Sequence, residues 1–278
     1  MIKLMIDSGS DMNKEEADNL GIIFMPIEVR FASEEFLDGV NLLPKEFYEK
    51  LAVTKELPKT SQINPFRYEE AFEEATKNGD QLIVITLSSG LSGTYSNAVQ
   101  ASERFKGKVF VVDSLNACSG ERILGLYALD LIKKGLSASE IVDKLNEQKK
   151  KIKVIAIIDT LKYLKMGGRI SALSAVIGGA LSVKPLIAVV DGKIETIGKA
   201  MGSKKAYKLL MEKINEHQID FDMPSGFIWS GFTMDSLESF KAESEAMWEG
   251  HDIPAYILGS TIGTHIGHGA VGIAFFAK

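Results

Sequence analysis

Hydroxyl side chains and glycines recur where apolar runs of this chain stop. Asp7-Ser8-Gly9-Ser10 follows MIKLMID, and Ser88-Ser89-Gly90-Leu91-Ser92-Gly93-Thr94 follows QLIVITL. Asp113-Ser114 follows KVFVVD, with Ser119-Gly120 just beyond. Where a strand turns into a helix, free backbone N–H groups and the partial positive charge of the helix start face outward. Glycine lets a ligand approach that backbone and hydroxyls add donors, so such a turn suits an anion. Serine is also a favoured helix cap, and for any one cluster capping is the commoner use. The run at 88–94 holds more hydroxyls and glycines than a cap needs, which makes it the best candidate. Thr60-Ser61-Gln62-Ile63-Asn64-Pro65 is a second cluster. Pro65 fixes its own φ and biases Asn64 toward an extended conformation. Taken alone, this cluster reads as a loop capping the helix that begins near Phe66.

Two further groups carry charge. Gly167-Gly168-Arg169 is a basic turn after a helical patch, and the planar guanidinium fork of Arg169 suits a carboxylate or phosphate. Most exposed arginines are merely solvated or weakly paired. Gly263-Thr264-His265-Ile266-Gly267-His268-Gly269 places two histidines in a glycine-rich loop, either of which titrates near neutral pH. Gly267, Gly269 and Gly272 match G-x-G-x-x-G, but an apolar strand-like run follows instead of a helix, so a dinucleotide loop is rejected. A metal site is weak as well, because no third ligand lies near His265 and His268 in sequence. Walker-type, G-x-S-x-G and H-E-x-x-H motifs are missing. Cys118, the single cysteine, sits near a helix start, which can depress a thiol pKa; a small buried residue is the plainer reading.

The elements that must hold these groups alternate. The runs 1–7, 81–87, 108–113, 153–159 and 186–192 read as strands. Helical patterns cover 66–77, 121–134, the capping-box segment from Ser137 with Glu140, and about 203–217. This alternation predicts an α/β fold with mainly parallel sheets and flanking helices. The basic run Lys149–Lys151 before a new strand suggests a boundary near 150, giving lobes 1–150 and 151–278. The segment 170–183, rich in glycine and alanine, is a candidate wall for an apolar tunnel. The 278 residues carry 37 acidic and 32 basic side chains, a formal charge of -5. That balance argues against nucleic acid as a partner, since phosphate contacts need a basic surface. No signal peptide or apolar run of membrane-spanning length is apparent, and one cysteine fits a cytoplasmic location.

Taken in order, the clusters resemble the DegV family of bacterial fatty-acid-binding proteins. The match runs through MIDSGSD, DGV (38–40), PKTSQINP (58–65), SSGLSGTYSNAV (88–99), VVDS (111–114) and DTLKYLKMGGRIS (159–171). It continues through VKPLIAVVDGKI (183–194), KKA (204–206) and IGTHIGHGAVGIAF (262–275). The resemblance implies a two-lobed α/β protein with its ligand between the lobes. It implies a non-catalytic carrier without a cofactor, which binds a long-chain fatty acid. An ATP-dependent fatty acid kinase subunit would be the partner that phosphorylates the bound acid to an acyl phosphate. A transient contact with a membrane surface is compatible with that role. Carried over by motif, the carboxylate-binding positions are Thr60, Ser61 and Ser92, completed by Arg169 and His265. The sequence departs from the family pattern at Gly9, where threonine is common, at Met201, where arginine is common, and at His268, where proline is common. The rival readings are a stand-alone acyl or phosphoryl transferase and a sensing or transport module for another small carboxylate.

Overall fold

The computed structural model of the chain describes residues 1–170 and 182–278. The first half runs β1 (Ile2–Asp7), α1 (Lys14–Asn19), β2 (Ile22–Met25), β3 (Glu28–Phe31), β4 (Glu34–Leu37), α2 (Pro44–Val53), β5 (Lys59–Ser61), α3 (Pro65–Thr76), β6 (Gln81–Thr86), α4 (Thr94–Ser102), β7 (Val109–Asp113), α5 (Ser119–Lys133) and α6 (Ala138–Gln148). The second half runs β8 (Ile152–Ile157), α7 (Lys162–Met166), β9 (Val183–Val190), β10 (Lys193–Met201), α8 (Ser203–Asn215), β11 (Gly226–Trp229), α9 (Asp235–Glu243), β12 (Ala255–Ile257), α10 (Ser260–Ile266) and β13 (Val271–Phe276). Most of the segment 170–183 lies outside the described residues, so the candidate tunnel wall is not described.

The expected α/β class holds. The first sheet has the order β2-β1-β6-β7 and is parallel throughout. Its central strands are continuous apolar runs because both faces are covered. Leu82 and Val84 face α3 and α4 with Met5, while Ile83 and Ile85 face α5 and α6 with Leu4 and Ile6. The capping box at Ser137 and Glu140 starts α6 as read from the sequence. A small antiparallel sheet, β4-β3-β5, was not legible, since its strands are three or four residues long.

The second sheet corrects the expectation of mainly parallel pairing. In its order β10-β9-β8-β13-β11-β12 every pair is antiparallel except β11 with β12. A parallel pair needs a long crossover. Here Asp191 and Gly192, both at positive φ, turn β9 directly into β10 as a hairpin. The outer face of this sheet carries Ile155, Ile157, Ile273 and Phe275 against α8 and α9. The inner face carries Val154, Ala156, Ala274 and Phe276 against α5 of the first half. Helix α5 therefore lies between the two sheets, and its first turns are buried on every side.

Candidate functional site

The carboxyl ends of β1 and β6, the hairpin turn β9–β10 and helix α10 face one another, at the edge where an open parallel sheet binds ligands. Asp7, the last residue of β1, stitches the two strand ends together. Its Oδ1 accepts from the Gly9 N–H and its Oδ2 from the Leu87 N–H, both at 2.8 Å. Burial pushes its carboxyl up to about 7 despite these two donors. Ser88 donates through Oγ to the Gly192 carbonyl at 2.7 Å, which joins the loop after β6 to the hairpin of the second sheet. Gly90 is needed there, because a Cβ would lie 2.5 Å from the Gly192 oxygen.

Helix α10 was expected as part of a glycine-rich loop. It forms a helix because the other half of the chain caps it. Asp38 Oδ1 accepts from the Ser260 N–H at 2.9 Å and Oδ2 from the Thr261 N–H at 3.0 Å. Asp11 Oδ1 accepts from the Gly259 N–H at 2.8 Å. These carboxylates neutralise the orphan donors and positive end of the helix. Gly263 lets the helix lie on α2, since a Cβ there would sit 2.5 Å from the Phe47 ring. Thr261, Ile262 and His265 then share the face turned to the gap between the sheets, as spacings of three and four require.

A cavity of about 270 Å³ occupies that gap. Thr60, Ser61, Ser92, Arg169 and His265 all line it, joined by Gln62 and Thr261. Thr60 and Ser61 stand on β5, paired opposite Val29 and Glu28, instead of in a capping loop. The cap of α3 is Asn64, whose Oδ1 accepts from the Arg67 N–H at 3.0 Å. Ser92 precedes α4. Its Oγ accepts from the Thr94 N–H at 3.2 Å and lies 2.9 Å from the Thr94 hydroxyl, so it closes a local turn while facing the cavity. Arg169 follows the Gly168 turn, at φ +69°, and donates from Nε to the Leu91 carbonyl at 3.2 Å and from Nη1 to the Gly167 carbonyl at 2.5 Å.

His265 Nε2 lies 3.0 Å from Thr60 Oγ1. Burial, reinforced by the Arg169 charge, pulls its pKa down to about 4. The ring is thus neutral at pH 7, one of the two protonation states that the sequence left open for it. Its Nδ1 is buried against Gly167 with no hydrogen-bond partner among the described residues. A buried N–H without a partner is rarer than a buried bare acceptor. The proton therefore belongs on Nε2, donated to Thr60 Oγ1. That leaves the Thr60 hydroxyl proton free to point into the cavity.

The deeper wall is apolar. Ala117, Ile194, Ile262 and Ile266 are shared with a neck of about 40 Å³, lined entirely by apolar side chains and Cys118. Burial pushes the Cys118 thiol up, so the reading of an activated thiol is set aside. His268 is exposed and faces Asp159, 3.8 Å away. Met201 is exposed at the end of β10. At Gly9 a Cβ would meet Asp7 Oδ1 at 2.8 Å and Leu87 at 3.1 Å, so this chain lacks room for the threonine common there. The residues that sequence reasoning missed are Thr261, four positions before His265 on one helix, and the acids Asp11 and Asp38. The i, i+4 spacing was a usable signal for Thr261. The acids stand in the MIDSGSD and DGV motifs, but nothing local gave them a role, because their partners lie 248 and 222 residues away.

Comparison with known proteins agrees with this architecture. The profile of the family described as "Uncharacterised protein, DegV family" matches residues 1–278. A DegV domain-containing protein of Clostridium perfringens is 33% identical over 280 residues, covering 98% of this chain and 96% of that protein. One from Caldanaerobacter subterraneus is 34% identical over 283 residues, covering 100% and 99%. Among solved structures, DegV of Bacillus subtilis, described as a fatty acid binding protein, is 32% identical, with a TM-score of 0.86 and coverage of 100% and 99%. A DegV family protein of Thermus thermophilus, described for its fatty acid binding, is 28% identical, with a TM-score of 0.89 and coverage of 100% and 99%.

Proposed function

The chain belongs to the DegV family, and from that premise we propose that it is a carrier that binds a long-chain fatty acid between lobes 1–150 and 151–278 and presents the carboxylate to an ATP-dependent kinase subunit for phosphorylation to an acyl phosphate. The observation that carries this reading is the pairing of a hydroxyl-lined cavity with an apolar neck behind it. An amphiphile with one polar end fits that division. Its carboxylate would accept from Thr60, whose hydroxyl is oriented by neutral His265, and from Ser61 and Ser92. Arg169 would supply the positive charge that keeps a half-buried carboxylate ionised. The chain would enter the neck, where each buried methylene contributes about 0.8 kcal/mol. The neck is narrow, so isoleucines such as Ile194 and Ile262 would change rotamer to admit it, a common adjustment on binding.

The test begins with denaturing extraction of the purified protein and mass spectrometry of what is released. A fatty acid of roughly 14 to 18 carbons, a length suited to a pocket of this kind, is expected. Release of polar metabolites alone would sink the reading. Ser92→Ala should lower acid affinity by about tenfold, the loss of one hydrogen bond to a charged group. An unchanged affinity with reduced thermal stability would leave Ser92 as a turn-forming residue alone. Acyl phosphate should form only when the kinase subunit and ATP are both added.

A further inference from the structure

The apolar neck has a second, polar neighbour. At its far side Val154, Ala188 and Val189 are shared with a third void, a cleft of about 410 Å³. The cleft exists because β8 and β9 pair over three residues, Ile155 to Ile157, and then splay apart toward Ile152 and Val190. Four lysines, Lys149, Lys150, Lys153 and Lys213, line it, against the acids Asp191 and Glu216. Lys149 Nζ donates to the Asp113 carbonyl at 2.8 Å, and Lys213 pairs with Glu216 at 2.7 Å. Lys150 and Lys153 have no acidic partner within ion-pair distance among the described residues. A polar, cationic chamber thus adjoins the apolar neck on the side away from the hydroxyl cavity.

The distances agree with a long chain. Ile158, Ala156, Val154 and Ile152 form one row along the inner face of β8. At about 3.3 Å per residue this row spans roughly 20 Å. A zigzag chain of bonds of about 1.5 Å advances roughly 1.3 Å per carbon, so eighteen carbons reach about 23 Å. A chain of ten carbons, about 13 Å, is shorter than this row.

We propose that the lysine-lined cleft receives the far end of the acyl ligand and accepts a second anionic group there, so that long-chain α,ω-dicarboxylates belong to the ligand class of this site. The inference rests on the carrier reading, and the test separates the two. Calorimetric titration at pH 7.5 would compare octadecanoate with octadecanedioate and decanoate with decanedioate. Octadecanedioate should bind within about tenfold of octadecanoate. Decanedioate should bind more than about 100-fold more weakly than decanoate, because its second carboxylate is stranded in the apolar neck. The double variant Lys150→Gln/Lys153→Gln should weaken octadecanedioate by about tenfold and leave octadecanoate unchanged. A diacid penalty equal at both lengths, or a double variant that affects both eighteen-carbon acids alike, would overturn the inference while the carrier reading stands. Failure of octadecanoate itself to bind would overturn the carrier reading and the inference together.

Discussion

The neutral state of His265 changes what that residue is expected to do. Because its pKa falls to about 4, it holds one protonation state between pH 6 and 8. His265→Ala should weaken fatty acid binding by about tenfold through loss of the oriented Thr60 donor. The loss should be the same at pH 6 and pH 8 by displacement of a fluorescent fatty acid. A loss that grows toward pH 6 would return the charge to the imidazole. Thr60→Val should reproduce most of the effect, and the double variant should add little, since the two side chains act as one unit. Arg169→Gln removes a full charge beside the cavity. It should weaken an acid by tenfold or more while leaving the matched fatty alcohol nearly unaffected. All five residues singled out from the sequence line the same cavity, which spacing along the chain did not show. The periodic elements were legible because their apolar patterns are local. The convergence was not, because it is made by backbone-to-carboxylate contacts between distant segments.

Helix α10 illustrates the point at the scale of an element. Its seven residues contain one glycine, Gly263, with Gly259 just before it and Gly267 just after, and its apolar pattern is short. A helix this short is marginal on its own. What makes it helical is the Asp38 carboxylate at its start and the floor provided by Phe47 and Tyr48 of α2. Asp38→Asn keeps one acceptor oxygen but turns an amide toward a backbone donor. Denaturant unfolding should show a loss of about 1–3 kcal/mol, with fatty acid affinity falling in parallel as Thr261 and His265 shift. Gly263→Ala should cost about 1–3 kcal/mol by overpacking against Phe47, and an unchanged denaturation midpoint would mean that α2 yields. The same locality explains the second sheet. Its strands β8, β9 and β13 were recognised and β10 was not, because the Asp191-Gly192 hairpin that sets their direction reads in sequence as an ordinary strand end.

Across the whole molecule, the junction between the halves is rich in buried acid. Asp7, Asp11, Asp38 and Glu121 are all held above their ordinary pKa, chiefly by burial. For Asp7 the folded value is about 7 against 3.8 for the free group. Between those values the unfolded chain binds fewer protons than the folded one, so this residue's contribution falls as pH rises from about 4 to 7. His265 works in the opposite sense between 6.5 and about 4, because its folded pKa is depressed. In the difference between the parent protein and Asp7→Asn the histidine cancels. Acidifying from pH 7.5 to 5.5 should therefore raise the melting temperature of the parent relative to the variant, and parallel curves would remove Asp7 from this role. The caps of α10 also place the site in time. Ser260 enters the growing chain 222 residues after Asp38. At about 5–20 residues per second, that is a wait of roughly 10 to 40 s on the ribosome. Until then the hydroxyls of β5 and of the loop after β6 have no opposite wall. A nascent chain therefore has no chamber in which to trap a detergent-like molecule, and its capacity for cargo arrives in one late step with the closing helix.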